Sequence, residues 1–149
     1  SGWSDQAALI LTRRSENLQN HPGQWALPGG KLEPDETYSA CALRELEEEV
    51  GISLDTAHEL GFLDDYVSRS GFAITPEVVW GGTELETAIN PQEVASIHRI
   101  PVTQFFRADA PSFTIVDTSE HPILRMPVGT DVIAAPTAAI IYQFKETFY

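Results

Sequence analysis

An α/β fold is predicted for this 149-residue chain. Two stretches carry apolar residues at helical spacing, short runs of aliphatic, β-branched and aromatic residues lie around them, and Gly- or Pro-containing turns separate these runs. The length suits one core burying roughly two-thirds of the unfolded surface, so a single domain over residues 1–149 is expected.

Residues 7–13 are rich in aliphatic side chains and read as the first strand, followed by a polar loop over 15–24 that closes on Pro22 and Gly23. A helix is expected from Asp35 and Glu36, just after Pro34, because acidic side chains there meet the positive end of the helix dipole. Gly51 should end it. Residues 56–68 and 71–81 alternate on either side of Arg69, Ser70 and Gly71, which predicts a hairpin of two long strands. Another strand is expected over 94–102, ending at Pro101, and a further hairpin from 112–117 and 122–127 around Glu120 and His121. After Pro136, which suits a first helical turn, Ala139, Ile140, Phe144 and Phe148 recur at helical spacing and predict a helix packed on the sheet.

The chemistry concentrates in residues 30–52, GKLEPDETYSACALRELEEEVGI. At about 100° per residue, Ser39, Ala42, Leu43, Leu46 and Val50 fall in one arc, and Cys41, Glu45, Glu48 and Glu49 in the adjacent one. Carboxylates spaced three and four apart repel by roughly 0.2–0.5 kcal/mol per pair, so a compensating cation is expected. Mg2+ and Mn2+ fit best, as hard ions that take a few carboxylates together with substrate phosphate oxygens. Arg44, always charged, flanks the acidic arc and can hold Glu36 or a helix carboxylate. A glutamate run alone would read as a solvated helix face. Gly30, Glu36, Arg44 and Gly51, all in register with it, set this segment apart.

That register, G-x5-E-x7-R-E-U-x-E-E-x-G-U with U aliphatic, resembles the signature box of the Nudix hydrolase superfamily at every defined position. The resemblance implies an α/β/α sandwich with a mixed sheet between helices. It implies that Glu45, Glu48 and Glu49 bind divalent metal, that the Gly30 carbonyl adds a ligand, and that Arg44 and Glu36 orient the box, with Gly30 and Gly51 structural. The family commonly has a further strand ahead of the first one found here, and residues 1–6 leave little room for it, so Ser1 need not be the biological N-terminus. Upstream, ILTRRSENLQNHPGQWALPGG over 10–30 is similar in spacing to the motif of the coenzyme A diphosphatase branch. Thr12, Arg14, Ser15, Gly23, Pro28, Gly29 and Gly30 match it. Ile10 and Leu27 depart but stay apolar, whereas Gln19 stands where the motif has an arginine and so removes a cation able to meet a phosphate. LDDYVSRSGFAITPEVVW over 63–80 and NPQEV over 90–94 resemble that branch as well.

Composition narrows the partners. Net charge is −13 with only nine Lys and Arg, so the basic stripe of a nucleic-acid binder is missing. A small polyanion remains compatible if metal supplies the positive charge. Cys41 is the only cysteine, which excludes a disulfide framework within the chain and reads as a small packed residue. No apolar run reaches about 18 residues and the first residues lack a secretory pattern, so a cytoplasmic protein away from membranes is expected. Dimers are common in the superfamily, which leaves a homodimer open.

Outside the box, Arg13, Arg14 and Arg69 are the candidates to hold substrate phosphate, since a guanidinium fork matches phosphate oxygens. Trp25 and Trp80 are read as packed side chains ahead of base-stacking ones, and His21, His58, His98 and His121 as surface or loop residues without ligand spacing. The expected reaction is attack of an activated water on a diphosphate linking a nucleoside to another group. Coenzyme A or a derivative is the first substrate expected, giving 3′,5′-ADP and phosphopantetheine. ADP-ribose, dinucleotides or nucleoside triphosphates are the alternatives, and a nucleotide sensor that does not cut is the alternative of another class. The general base is open among Glu45, Glu48, Glu49, Glu77, Glu86, Glu93 and Glu120.

Overall fold

The computed structural model describes residues 7–68, 70–106, 112–115, 122–128, 131–134 and 136–148. Arg69 and the turn expected around Glu120 and His121 lie outside the described residues. Backbone contacts divide the chain into two compact units, Leu11–Ile97 and a second made of the residues up to 10 with those from 98 onward.

β1 (Ala8–Arg14) pairs antiparallel with β2 (Trp25–Ala26), Thr12 opposite Ala26 and Arg13 opposite Trp25, these four residues lying in the unit Leu11–Ile97. β2 falls just past the loop expected at 15–24. Its two residues are too few to show alternation, and only the partner strand reveals them. The strand order here is β2-β1-β7, with β7 covering Val94–Pro101.

The helix α1 spans Tyr38–Val50. It starts later than the acidic residues suggest: Thr37 is the N-cap, its side chain accepting the Ala40 N–H at 3.1 Å. Asp35 sits at φ 62° in the preceding turn, a conformation that short polar side chains tolerate, so the acidic pair belongs to the turn. Gly51 ends the helix in the left-handed region at φ 72°, its N–H returning to the Glu47 carbonyl, as expected of a glycine stop.

The two long strands are each broken. A 3-10 turn at Thr56–His58 leads into β3 (Glu59–Phe62) and then β4 (Tyr66–Val67), and the return path is β5 (Ala73–Ile74) and β6 (Glu77–Val79). The antiparallel pairing is the expected one, β4 with β5 and β3 with β6. The interruption falls at Asp64, Asp65 and Pro76. Proline cannot donate to a ladder, and here its carbonyl takes the Leu63 N–H at 2.9 Å while Thr75 Oγ1 donates to Asp65 at 2.8 Å. The buried apolar set of this unit is Leu11, Cys41, Val50, Ile52, Leu63 and Val94, each aliphatic member contributing on the order of 1.5–3 kcal/mol.

In the second unit a 3-10 turn at Val102–Phe106 is followed by β8 (Ser112–Ile115), β9 (Pro122–Val128) and β10 (Asp131–Ile133), in the order β10-β9-β8. The expected hairpin is present, Ser112 opposite Arg125 through Ile115 opposite Pro122. β10 was not anticipated, being three residues long. The helix α2, Thr137–Phe148, packs against β9 and buries Thr137, Ala138, Ile140, Ile141 and Phe144. Phe148 stacks on Phe144 with ring centres 5.0 Å apart.

Candidate active site

Arg44 is the hub of the acidic segment. Its Nε donates to Glu36 Oε2 at 2.7 Å and its Nη2 to Glu36 Oε1 at 2.9 Å, a bidentate fork. Nη1 donates to Glu45 Oε1 at 2.8 Å and to Glu48 Oε2 at 3.2 Å, and Nη2 also meets the Lys31 carbonyl at 3.2 Å. One side chain thereby ties the turn before α1 to the helix face. The Arg44 bond, helped by the Glu33 N–H, holds the Glu36 carboxyl down at about 2, and the same contacts raise the guanidinium further. Glu36 is thus locked to Arg44, which in turn holds Glu45 and Glu48. The Cys41 thiol is buried and lies 3.7 Å from both the Gly30 carbonyl, to which it donates, and Arg44 Nη2. Burial raises its pKa, so it is a packed, protonated thiol.

Beyond Arg44, three carboxylates converge. Glu45 and Glu49 from α1 and Glu93 from the loop before β7 each offer an oxygen within 4.8 Å of the others. Burial is the first reason that Glu49 titrates at about 7 rather than 4.5. Like charge on Glu45 and Glu93 adds to it, against the Gly29 N–H, which donates to Glu49 Oε2 at 3.3 Å, and the charge on Arg14. These groups line a cleft of about 270 Å³ with Thr12, Arg14, Leu18, Ala26, Leu27, Gly29, Gly30 and Val94. Gly30 passes so close that a Cβ there would lie 2.5 Å from Glu45 Oε1. An oxygen-only donor set with excess negative charge is what a hard divalent cation takes, so these residues fit Mg2+ or Mn2+.

Glu93 reaches the cluster through its backbone. The carbonyls of Glu49 and Val50, orphaned at the end of α1, accept the N–H groups of Asn90 at 3.1 Å and Ala88 at 2.8 Å. Glu93's carbonyl accepts from Ser15 N–H at 3.0 Å. Of the glutamates open as a base, Glu93 alone outside the box lies in the cluster among the described residues. Glu86 is exposed, and Glu77, on β6, has its pKa raised by burial and by Glu59.

The family model of the NUDIX domain matches residues 3–118. The chain belongs to the Nudix family of hydrolases. It is 43% identical over 103 residues to an uncharacterized Nudix hydrolase NudL of Yersinia enterocolitica, covering 68% of this chain and 53% of that one. It is 42% identical over 98 residues to the NudL of Yersinia pestis, covering 65% of this chain and 49% of that one. The chain spans about half the length of the curated relatives it matches. Among solved structures, a MutT protein from Methanosarcina mazei matches 70% of this chain and 75% of its own, at TM-score 0.54 and 26% identity. A MutT/nudix family protein from Enterococcus faecalis matches 96% of this chain and 56% of its own, at TM-score 0.68 and 19% identity. The latter likeness is one of fold, and it agrees with the α/β Nudix architecture expected.

Within the Nudix box, Glu45 and Glu49 meet while Glu48 does not join them: its half-exposed side chain, 52% accessible, turns to Arg44. Helical spacing puts all three on one side but leaves χ angles free, and the Arg44 guanidinium takes the outermost one. Arg14 lines the cleft, its Nε held by the Asn20 carbonyl at 3.2 Å. Arg13 is not among the lining residues. It donates from Nε and Nη2 to the Gly23 carbonyl at 3.1 and 2.8 Å and lies 5.0 Å over the Trp25 ring. Arg69 lies outside the described residues. Trp25 is half-buried, whereas Trp80 is 42% exposed, against the packed position expected for it. His21 is exposed, His58 caps the 3-10 turn at 56–58, and His98 lies within β7. Among the described residues no helix is long and apolar enough to cross a membrane.

Proposed function

We propose that the chain hydrolyses the diphosphate bridge of a nucleoside diphosphate linked to another group, with Mg2+ or Mn2+ as cofactor. The convergence of Glu45, Glu49 and Glu93 within 4.8 Å in a cleft that Arg14 also lines is the observation that supports it. Those three carboxylates would hold the ion, with the Gly30 carbonyl at their edge. Glu48 is carried over from the box as a further ligand, its exposed contact with Arg44 leaving it free to turn. The bound ion would neutralise phosphate oxygens and acidify the attacking water.

The chain's own groups supply the rest. Arg14, which lines the cleft, would take a phosphate oxygen, and its charge also favours ionised Glu49. Arg44 keeps Glu45 from swinging out of the cluster by its 2.8 Å bond. A carboxylate oxygen of the cluster, from the box glutamates or from Glu93, would accept the water's proton. Attack on one phosphorus and departure of the other phosphate release two phosphate monoesters when both sides of the bridge are esterified.

Coenzyme A or an acyl derivative is the substrate proposed, on the matched spacing of residues 10–30. A second reading, cleavage of ADP-ribose, a dinucleotide or a nucleoside triphosphate, is favoured by Gln19, which is exposed and uncharged where the motif has arginine. A panel of these substrates with Mg2+ or Mn2+, read by product identification, separates the two. Release of 3′,5′-ADP supports the first, and turnover of the other substrates alone supports the second. Binding of nucleotide without products would sink both in favour of a sensor.

A further inference from the structure

We infer that Asn90 is a positioning residue for the acidic site, setting Glu93 beside Glu49 through the turn that it closes on the end of α1. The inference rests on the metal-site reading above and adds to it the device that completes the site.

Glu93 is exposed, so side-chain packing does not aim it. Its direction comes from the backbone of residues 88–94. Asn90 is the anchor of that segment on both sides. Its N–H donates to the Glu49 carbonyl at 3.1 Å, the residue whose carboxylate Glu93 must meet. Its own carbonyl accepts the N–H groups of Glu93 at 3.1 Å and Val94 at 2.9 Å. Its side chain Oδ1 accepts the Gln92 N–H at 3.2 Å. An asparagine that bonds the backbone two residues on, followed by a proline at the next turn position, is the pattern that closes a tight turn over Asn90, Pro91, Gln92 and Glu93.

Two features outside the turn make it a fixed spacer. Gly51 lets the segment approach α1, since a Cβ there would lie 2.8 Å from the Ala88 nitrogen. The Ser15 N–H holds the Glu93 carbonyl at 3.0 Å from the end of β1. The backbone bonds survive any substitution at position 90 that keeps the N–H, whereas the Oδ1 bond belongs to the side chain. Alanine removes that bond and widens the range of turn conformations, so Glu93 samples positions away from Glu49.

Mn2+ affinity, measured by electron paramagnetic resonance without substrate, tests this. Asn90→Ala should raise the Kd for Mn2+ about tenfold, while the melting temperature of the metal-free protein moves by only about 3 °C, as expected for one exposed hydrogen bond. Asn90→Asp, which keeps an oxygen acceptor, should return the Kd to within about threefold of wild type. In a Glu93→Gln background the Asn90→Ala step should change the Kd by less than about twofold, because the group it positions is already gone. Should Asn90→Ala fold poorly, Asn90→Ser carries the same comparison through its weaker hydroxyl acceptor. An unchanged Kd in Asn90→Ala, or an equal loss with and without Glu93, would overturn the inference while leaving the metal site standing. A wild-type chain that binds no Mn2+ overturns the metal reading and this inference together. Tight Mn2+ binding with no substrate cleaved sinks the hydrolase proposal alone, and the Asn90 comparison still decides its own case.

Discussion

Gly30→Ala probes the site with a single methyl group. A Cβ at Gly30 would lie 2.5 Å from Glu45 Oε1, 2.6 Å from its Cδ and 3.0 Å from its Oε2. Comfortable heavy-atom contact is about 3.5 Å, so the carboxylate must retreat by about 1 Å. It cannot do so freely, because Arg44 Nη1 holds the same Oε1 at 2.8 Å. Retreat therefore disturbs both the cluster with Glu49 and Glu93 and the Arg44 hub. A displacement of that size costs about 10–100-fold in metal affinity and about 100-fold in kcat/KM. Global stability should hardly change, since alanine removes unfolded-chain entropy worth about 0.4–1 kcal/mol in the opposite sense. Mn2+ binding by paramagnetic resonance, kcat/KM on the best substrate of the panel, and thermal melting of the metal-free protein give the three readouts. A variant that binds Mn2+ and turns over like wild type would refute the placing of Glu45 against Gly30. A variant that simply unfolds would refute the claim that the effect is confined to the site.

Glu49 carries its proton more tightly in the folded chain, titrating at about 7 instead of 4.5. In the metal-free protein its protonation therefore adds stability that is full below about pH 4.5 and is lost as pH rises through 7. A shift of that size corresponds to about 3 kcal/mol unscreened, reduced to about 1–2 kcal/mol by the solvent that reaches a half-buried carboxylate. Glu49→Gln should flatten that slope in urea denaturation across pH 4.5–7.5 and lower kcat about a hundredfold or more, and an unchanged slope would contradict the burial argument. Mn2+ affinity of the wild type should rise with pH up to about 7, because the ion competes with the Glu49 proton, as a pH series of titrations would show. Gly51→Ala, at φ 72° with its Cβ 2.8 Å from the Ala88 nitrogen, should cost about 2–3 kcal/mol from left-handed strain plus displaced backbone, visible as a lower urea midpoint. Arg44→Lys keeps the charge but cannot fork onto Glu36 while holding Glu45, so Mn2+ affinity should fall about tenfold; wild-type affinity in this variant would mean that charge alone suffices.

Residues 30–52 were legible in the sequence because helix geometry fixes which side chains share a face, so Glu45 and Glu49 could be placed side by side without any tertiary information. Gly51 was legible for the same kind of reason, a left-handed stop being a local demand. The start of α1 was not, because acidic residues suit a helix N-terminus and a turn equally, and Thr37 captured the cap. The long strands at 56–68 and 71–81 were read through their breaks, since alternation continues across Asp64, Asp65 and Pro76 while the ladder does not.

What the sequence alone determined is thus the local chemistry: a carboxylate face, an arginine to brace it, a glycine at each end, and from these the family. The tertiary structure decided which carboxylates meet. Glu48 and Glu49 are neighbours in sequence, yet one is drawn to Arg44 and the other is half-buried in the cleft. Glu93 comes from a distant loop to join Glu45 and Glu49. No pattern along the chain encodes that meeting. It follows from two orphaned carbonyls at the end of α1, which must find donors somewhere and find them in the N–H groups of Ala88 and Asn90.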